Sequence, residues 1–227
     1  MATLDAIIFD FDGVLLESEF DGNRQLAELL TELGHRTSVA EALGLYVGLA
    51  GPQFIAAIEH RIGAALPPEF HERRKAQSIR ALEQGVAAVA GAVEFVRALP
   101  PDLPKAVASS SSTRWLRGHL AHLGLADAFG EHVYSGREHV ARGKPEPDLY
   151  LHAAARLGAD IRRSAVIEDS TIGVTGALAS GARVIGFAGG THCGEGHADM
   201  LRALGVRDVA ESFDEVSRLL GLGQASK

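Results

Sequence analysis

A single cysteine, Cys193, stands in the whole chain, which excludes an intrachain disulfide and makes a reducing compartment the natural setting. Basic residues are in the minority, 22 Lys and Arg against 29 Asp and Glu. The resulting net charge of −7 argues against a protein that tracks nucleic-acid backbones, which needs clustered cations. The same imbalance is compatible with a cation that screens a negative substrate. No uncharged apolar stretch reaches the roughly 18–20 residues that cross a bilayer. No basic segment precedes the first apolar run in MATLDAIIFDFDG, so no signal peptide is expected and the cytoplasm is the expected location. Internal repeats and low-complexity tracts are also missing. What remains is a globular chain of 227 residues, 46% hydrophobic and 22% charged, sized for one large domain or for a core with an insertion.

Short apolar runs rich in β-branched residues alternate with longer helical patterns. The candidate strands are Ala6–Phe11, Lys105–Ser109, His132–Ser135, Ala165–Glu168 and Arg183–Phe187. Between them lie helix-like segments at Val93–Leu99, Arg114–Leu123, Pro147–Leu157 and Gly173–Ser180. Near-continuous apolar strands alternating with helices imply an α/β fold whose parallel sheet is covered on both faces. From about Glu19 to Ala87 the pattern changes. Leu26, Leu29, Leu30 and Leu33 recur at helical spacing, as do Ile55, Ile58 and Ile62, with breaks at Gly34, Gly51 and Pro67-Pro68. This stretch reads as an all-helical insertion, so that residues 1–18 and 88–227 form the core and residues 19–87 a second unit.

Four clusters of polar residues fall at predicted strand ends or in loops. Residues two apart on an extended chain share a side, so Asp10 and Asp12 project together beyond the first strand, where open α/β sheets place their ligands. Two adjacent carboxylates repel, and a divalent cation or a shared proton resolves the repulsion. The alternative is a strand that simply ends in two solvated acids. Ser109-Ser110-Ser111-Ser112-Thr113 leads into a helix, and its hydroxyls and free N–H groups suit either an anion such as phosphate or plain helix capping. Lys144, between Gly143 and Pro145, is aimed in a defined direction and would neutralise a phosphate and an attacking carboxylate together; an exposed loop lysine is the plainer reading. Glu168-Asp169 follows a buried apolar run, where carboxylates are costly unless a charge meets them. Magnesium takes oxygen ligands, and Asp10, Asp169 and the Asp12 carbonyl would supply such a set.

The order DxDG…S…KP…ED across the chain resembles the haloacid dehalogenase superfamily, most specifically in the opening DFDGVLLESE. It is similar to the branch with a helical cap after the first motif, the β-phosphoglucomutase and sugar-phosphate phosphatase group, and within it to phosphatases such as 6-phosphogluconate phosphatase. The resemblance implies a Rossmann-like sheet of strand order 3-2-1-4-5, with Asp10 on a central strand as nucleophile and Asp12 as general acid/base. It assigns Ser109, helped by the Ser110 backbone, to the phosphoryl oxygens and Lys144 to charge balance. Asp169 would hold Mg²⁺ with Asp10 and Asp12, and Glu168 would be a ligand or stand just behind one. A halide leaves without protonation, so Asp12 speaks against a dehalogenase. β-Phosphoglucomutases usually carry a histidine in the segment leading to the cap, where this chain has Gly22, which favours hydrolysis of a small phosphorylated metabolite over mutase chemistry. Glu17 stands where the phosphatases commonly have aspartate. A non-catalytic phosphate sensor is the rival from another class, and the presence of Asp10, Asp12, Lys144 and Asp169 speaks against it.

On the cap, Lys75 and Arg80, about one and a half turns apart on a predicted helix, with Arg73 and Arg74 nearby, are candidates for an acidic or polyhydroxylated substrate; a solvated helix face is the alternative. Gly48, opening GLAG, would let backbone approach the substrate. His192, Cys193 and His197 in GGTHCGEGH have the residue types of a soft-metal site but no apparent fourth ligand, and read more simply as a flexible loop rimming the site. A monomer is expected.

Overall fold

Five apolar segments and one that is only half-buried pair side by side in a single parallel sheet. The computed structural model describes residues 4–49 and 51–222. Its strands are β1 (Ile7–Phe9), β2 (Lys105–Ser109), β3 (Val133–Ser135), β4 (Ala165–Glu168), β5 (Arg183–Phe187) and β6 (Asp208–Ala210), in the order β3-β2-β1-β4-β5-β6. The expected order 3-2-1-4-5 is therefore extended by a sixth strand. Three residues long, opened by an aspartate and only partly buried, β6 carries no apolar run for the sequence to announce. Helices α1 (Ser18–Glu32), α2 (Val39–Tyr46), α3 (Gly51–Ile62) and α4 (Pro68–Gln84) separate β1 from α5 (Ala92–Ala98) and β2. The rest are α6 (Thr113–His122), α7 (Ala126–Phe129), α8 (Asp148–Leu157), α9 (Thr171–Ser180), α10 (His197–Ala203) and α11 (Phe213–Leu220).

Alternation along the strands divides the interior in two. Ile7, Phe9, Val107, Ile167 and Ile185 face one side and pack with Phe95, Leu116, Phe129 and Phe213. Ile8, Ala106, Val166 and Val184 face the other and pack with Tyr150, Val174 and Leu201. Phe9 lies edge-on between Phe95 and Phe129, with ring centroids at 6.0 and 5.7 Å. Truncating such a ring costs about 3–5 kcal/mol. A third cluster, Leu26, Leu29, Leu30, Tyr46, Ile58 and Phe70 among its members, belongs to α1–α4 alone. Among the described residues, none between 18 and 84 enters either of the sheet's two clusters.

The chain leaves the sheet after Leu16 and returns at Ala88, and the two passages lie side by side. The Glu17 amide donates to the Ala87 carbonyl at 2.9 Å and the Val89 amide to the Leu15 carbonyl at 3.1 Å. Strand β1 is shorter than its sequence suggests. The Asp10 amide still donates to the Ile167 carbonyl at 2.9 Å, after which the chain turns at Gly13, whose φ of +86° L side chains rarely adopt. Phe11 remains buried with Phe9, so Asp10 and Asp12 stay on a common side. No described helix is long and apolar enough to cross a membrane.

Candidate active site

The carboxyl ends of β1, β2 and β4 meet where Asp10, Ser109 and Glu168-Asp169 emerge, and the loop before α8 brings Lys144 among them. Lys144 Nζ donates to Asp10 Oδ1 at 2.5 Å and to Glu168 Oε1 at 2.6 Å, with all three side chains buried. Behind them the Tyr150 hydroxyl donates to Glu168 Oε1 at 2.9 Å, and the Ser170 amide and hydroxyl donate to Glu168 Oε2 at 2.9 and 3.1 Å. Both Glu168 oxygens are thus engaged by protein donors, which turns that carboxylate towards Lys144. A Cβ on Gly173 would lie 1.6 Å from Glu168 Oε1, so this position of α9 has room for glycine alone. Burial works against the Lys144 ammonium, but Asp10 and Glu168 beside it prevail and hold the amine well above its ordinary range. Asp10 is pushed well up by burial, with Glu168 and Asp169 adding to the push and Lys144 opposing it.

Asp12 is held from several directions. Its Oδ1 accepts from the Ser18 hydroxyl at 2.5 Å and from Trp115 Nε1 at 3.0 Å; its Oδ2 accepts from the Ser111 hydroxyl at 2.6 Å and the Ser109 hydroxyl at 3.5 Å. Ser109 is buried, and its Oγ accepts from the Ser111 amide at 3.0 Å. Ser112 caps α6 by accepting from the Trp115 amide, which divides the serine run between capping and the site. Ser110 lines the cavity beside it. The chain's single tryptophan was not among the sequence candidates, and neither were Ser18 and Tyr150; Ser111 belonged to the candidate serine run, but its bond to Asp12 was not expected.

The buried carboxylates of Asp10, Glu168 and Asp169 offer oxygens within 4.8 Å of one another. Three carboxylates face one ammonium, and Asp169 Oδ1 is buried with no hydrogen-bond partner. Burial and the nearby Glu168 charge push Asp169 well above the carboxylate range. An all-oxygen donor set, an excess of negative charge and an orphaned oxygen fit a hard divalent cation such as Mg²⁺.

A cavity of about 530 Å³ opens above this floor, roofed by α1–α4. Lys75 and Gly48 line it. Gly48 abuts Ser170, to whose Cβ an added Cβ would come within 3.1 Å; Ala50, in the same glycine turn, lies outside the described residues. Arg80 requires a correction. It is exposed and does not line the cavity, because the face of α4 that does carries Arg74, Lys75, Ser78 and Leu82, and Arg80 lies on the opposite side of the helix. One turn beyond Phe70, Arg74 takes the place expected of Arg80. Its guanidinium donates to the Gly22 carbonyl at 3.3 Å and to Gln77 Oε1 at 2.9 Å and lies 5.9 Å from the Phe54 ring centroid. Arg73 pairs with Glu32 and Glu69 on the outer surface. Arg137 and Glu19 also reach the cavity. Burial, reinforced by the Asp12 and Asp169 charges, lifts Glu19 to about 8.

The glycine-rich segment after β5 also requires a correction. In place of a flexible rim, His192 is buried, with Nε2 at 2.7 Å from Asp169 Oδ2, and His197 opens α10 with Nε2 at 2.8 Å from the Asp169 carbonyl. Burial lowers the basicity of both rings, so neutral imidazoles donate here. Glu17 explains its departure from aspartate. Its longer side chain accepts from the Thr191 hydroxyl at 2.5 Å and the Thr191 amide at 3.1 Å, tying this segment to the first loop. Burial pushes the Cys193 thiol up to about 12, which leaves it neutral and unreactive as a free thiol.

A family model of haloacid dehalogenase-like hydrolases matches residues 4–181. A phosphorylated carbohydrates phosphatase of Thermotoga maritima is 31% identical over 187 residues, 78% of this chain and 82% of the relative. The 6-phosphogluconate phosphatase of Escherichia coli K12 is 25% identical over 194 residues, 85% of this chain and 86% of the relative. Among solved structures, a HAD family hydrolase from Deinococcus radiodurans R1 with bound phosphate and sodium superposes with a TM-score of 0.81 at 34% identity, covering 100% of both chains.

Proposed function

The chain belongs to the haloacid dehalogenase-like hydrolases, and from that premise we propose that it is a phosphatase acting on a small phosphorylated metabolite, a sugar or sugar-acid phosphate, with Mg²⁺ as its cofactor. The observation that carries this reading is the pairing of two unlike carboxylates at one strand end. Asp10 is bonded to a buried ammonium, and Asp12 to hydroxyls and an indole N–H.

Asp10 attacks phosphorus, the bond from phosphorus to the ester oxygen breaks, and an aspartyl-phosphate forms. Asp12 gives its proton to the departing alkoxide, then takes one from the water that attacks the aspartyl-phosphate and returns Asp10 with inorganic phosphate. One group serves both displacements because the second begins in the proton state the first leaves behind. Lys144 offsets the repulsion between the Asp10 carboxylate and the phosphate dianion, with Ser109 and the Ser110 backbone beside the phosphoryl oxygens. Glu168 acts through Lys144, holding its ammonium on Asp10. Asp10, Asp169 and the Asp12 carbonyl would hold Mg²⁺, which when bound would supply charge neutralisation at the phosphoryl group.

Residues 19–87 act as a cap that excludes water and reads the leaving group. Arg74, Lys75 and Arg137 around the cavity favour a polyhydroxylated or acidic leaving group. Gly22, which has no side chain to pass protons and whose carbonyl accepts from Arg74, favours hydrolysis over phosphomutase chemistry. The test is phosphate release from a panel of sugar and sugar-acid phosphates, with and without Mg²⁺, by the wild type and Asp10→Asn. Release that needs Mg²⁺ and disappears in the variant is the expected result. A moved phosphate without free phosphate would identify a mutase, and binding without turnover a sensor.

A further inference from the structure

The hydrolase mechanism leaves unused a cluster that adjoins its metal site. His192, Cys193 and His197 offer ligand atoms within 4.8 Å of one another. Cys193 Sγ lies 3.4 Å from His192 Nε2, and the same nitrogen lies 2.7 Å from Asp169 Oδ2. The sequence shows three soft or borderline donors and no fourth ligand. The fold sets the Asp169 carboxylate beside them, against His192.

We propose that His192, Cys193, His197 and Asp169 form a binding site for a thiophilic divalent cation of the Zn²⁺ class, and that its occupancy draws Asp169 away from the Mg²⁺ site and switches the hydrolase off.

Two sulfur- and nitrogen-bound ligands of a tetrahedral Zn²⁺ stand about 3.5 Å apart and two nitrogen- and oxygen-bound ligands about 3.3 Å apart, given bonds of roughly 2.3 Å to sulfur and 2.0–2.2 Å to the others. The Cys193–His192 separation already matches the first figure. The His192–Asp169 pair would open by about half an ångström as the ion replaces the proton between them. His192 is 6% exposed and Asp169 1%, so these donors are held together away from solvent. His197 is braced from behind, since its Nε2 donates to the Asp169 carbonyl, the outer contact that commonly fixes the ring of a metal-ligating histidine. The protons balance simply. The ion takes His192 Nε2 while that ring's proton moves to Nδ1, and Cys193 coordinates as thiolate, releasing its proton to solvent. Thiolate and imidazole select Zn²⁺ or Co²⁺ and reject Mg²⁺, whereas the floor of carboxylates does the reverse. Asp169 is the one residue both sites require.

The binding claim stands apart from the reaction, whereas the inhibitory claim rests on the proposed phosphatase reading. Co²⁺ added to metal-free protein should give a thiolate-to-cobalt charge-transfer band and the intense visible bands of a tetrahedral ion. The charge-transfer band should vanish in Cys193→Ser, weaken at least tenfold in apparent affinity in His197→Gln, and persist in Asp10→Asn, which cannot turn over. Circular dichroism of each variant checks that the fold is kept. Absence of the band in the wild type, or its persistence in Cys193→Ser, overturns the site. With saturating Mg²⁺ and a substrate from the panel, Zn²⁺ should inhibit the wild type at a concentration at least tenfold below that needed for Cys193→Ser. Equal sensitivity overturns the switch. Should no panel member be hydrolysed, the cobalt spectra still decide the site, so its fate and that of the phosphatase reading separate.

Discussion

On the sheet side of the cavity the charged groups are buried and bonded to one another, whereas the ion pairs within the helical unit lie in solvent. Lys144 bridges Asp10 and Glu168 with 3% of its side chain exposed. Arg24 meets Glu28 at 2.8 Å with 42% and 54% of the two side chains exposed. Exposed pairs of the second kind contribute about 0.2–1 kcal/mol, while breaking a buried pair leaves an uncompensated charge that costs about 3–5 kcal/mol. The floor is therefore a fixed electrostatic frame, in which no group can change without its neighbours. Under the proposed mechanism, chemistry and leaving-group selectivity would fall to parts of the molecule with different sensitivities to substitution.

That division is tested most severely at Asp10. Asp10→Asn should lower phosphate release at least about 10⁴-fold with the fold intact, measured as turnover beside a circular dichroism spectrum. Glu19 sharpens the comparison because it belongs to the roof by chain and to the floor by environment. Burial holds its carboxyl at about 8, above the ordinary 4.5, so between those pH values the native state holds a proton that the unfolded state has lost. That contribution is full below about pH 4.5 and disappears as pH rises through 8, a loss of up to about 5 kcal/mol in metal-free protein. Melting temperatures in chelator at pH 5 and pH 8.5 should fall further for the wild type than for Glu19→Gln, and equal falls would refute the protonated carboxyl. Lys144→Ala should destabilise by about 3–5 kcal/mol in urea unfolding and lower kcat about 10²–10³-fold, since Asp10 and Glu168 would face each other unpaired. On the roof, Arg74→Ala should raise KM about tenfold for the best panel substrate with kcat changed less than about twofold, and Arg80→Ala should change neither. A large kcat effect at Arg74 would break the comparison, because a roof residue would then be acting in the transition state.

How far the sequence could be read follows the same division. Asp10, Asp12, Ser109, Lys144 and Glu168-Asp169 were legible because each stands at the end of an apolar run or beside a proline, where local pattern already fixes the address. Strand β6 was not, being short and half-buried. Trp115 meets Asp12 across 103 positions of chain, a distance that no local pattern encodes. Arg74 could have been preferred to Arg80. It stands at i+4 from Phe70, the buried residue of α4, and so shares the inward face. The GGTHCGEGH segment looked mobile because glycines dominate it; its order comes from Asp169 and Glu17, which are remote in sequence.

The side-by-side passages at Leu16 and Ala88 bear on how quickly this chain can fold. Ile7 must find Lys105 before β1 and β2 can pair, and most of the intervening chain is the helical excursion. Among the described residues, those between 18 and 84 contribute nothing to the sheet's two clusters, and their own cluster lies wholly between Leu26 and Phe70, so they can condense without the sheet. Once condensed, they bring their two ends within a hydrogen bond of each other, and the long search shrinks to that of a loop about a third as long. By loop-closure entropy this lowers the cost of the first long-range contact by about 1 kcal/mol. The excursion thus acts as a preformed clasp for the nucleus of the sheet.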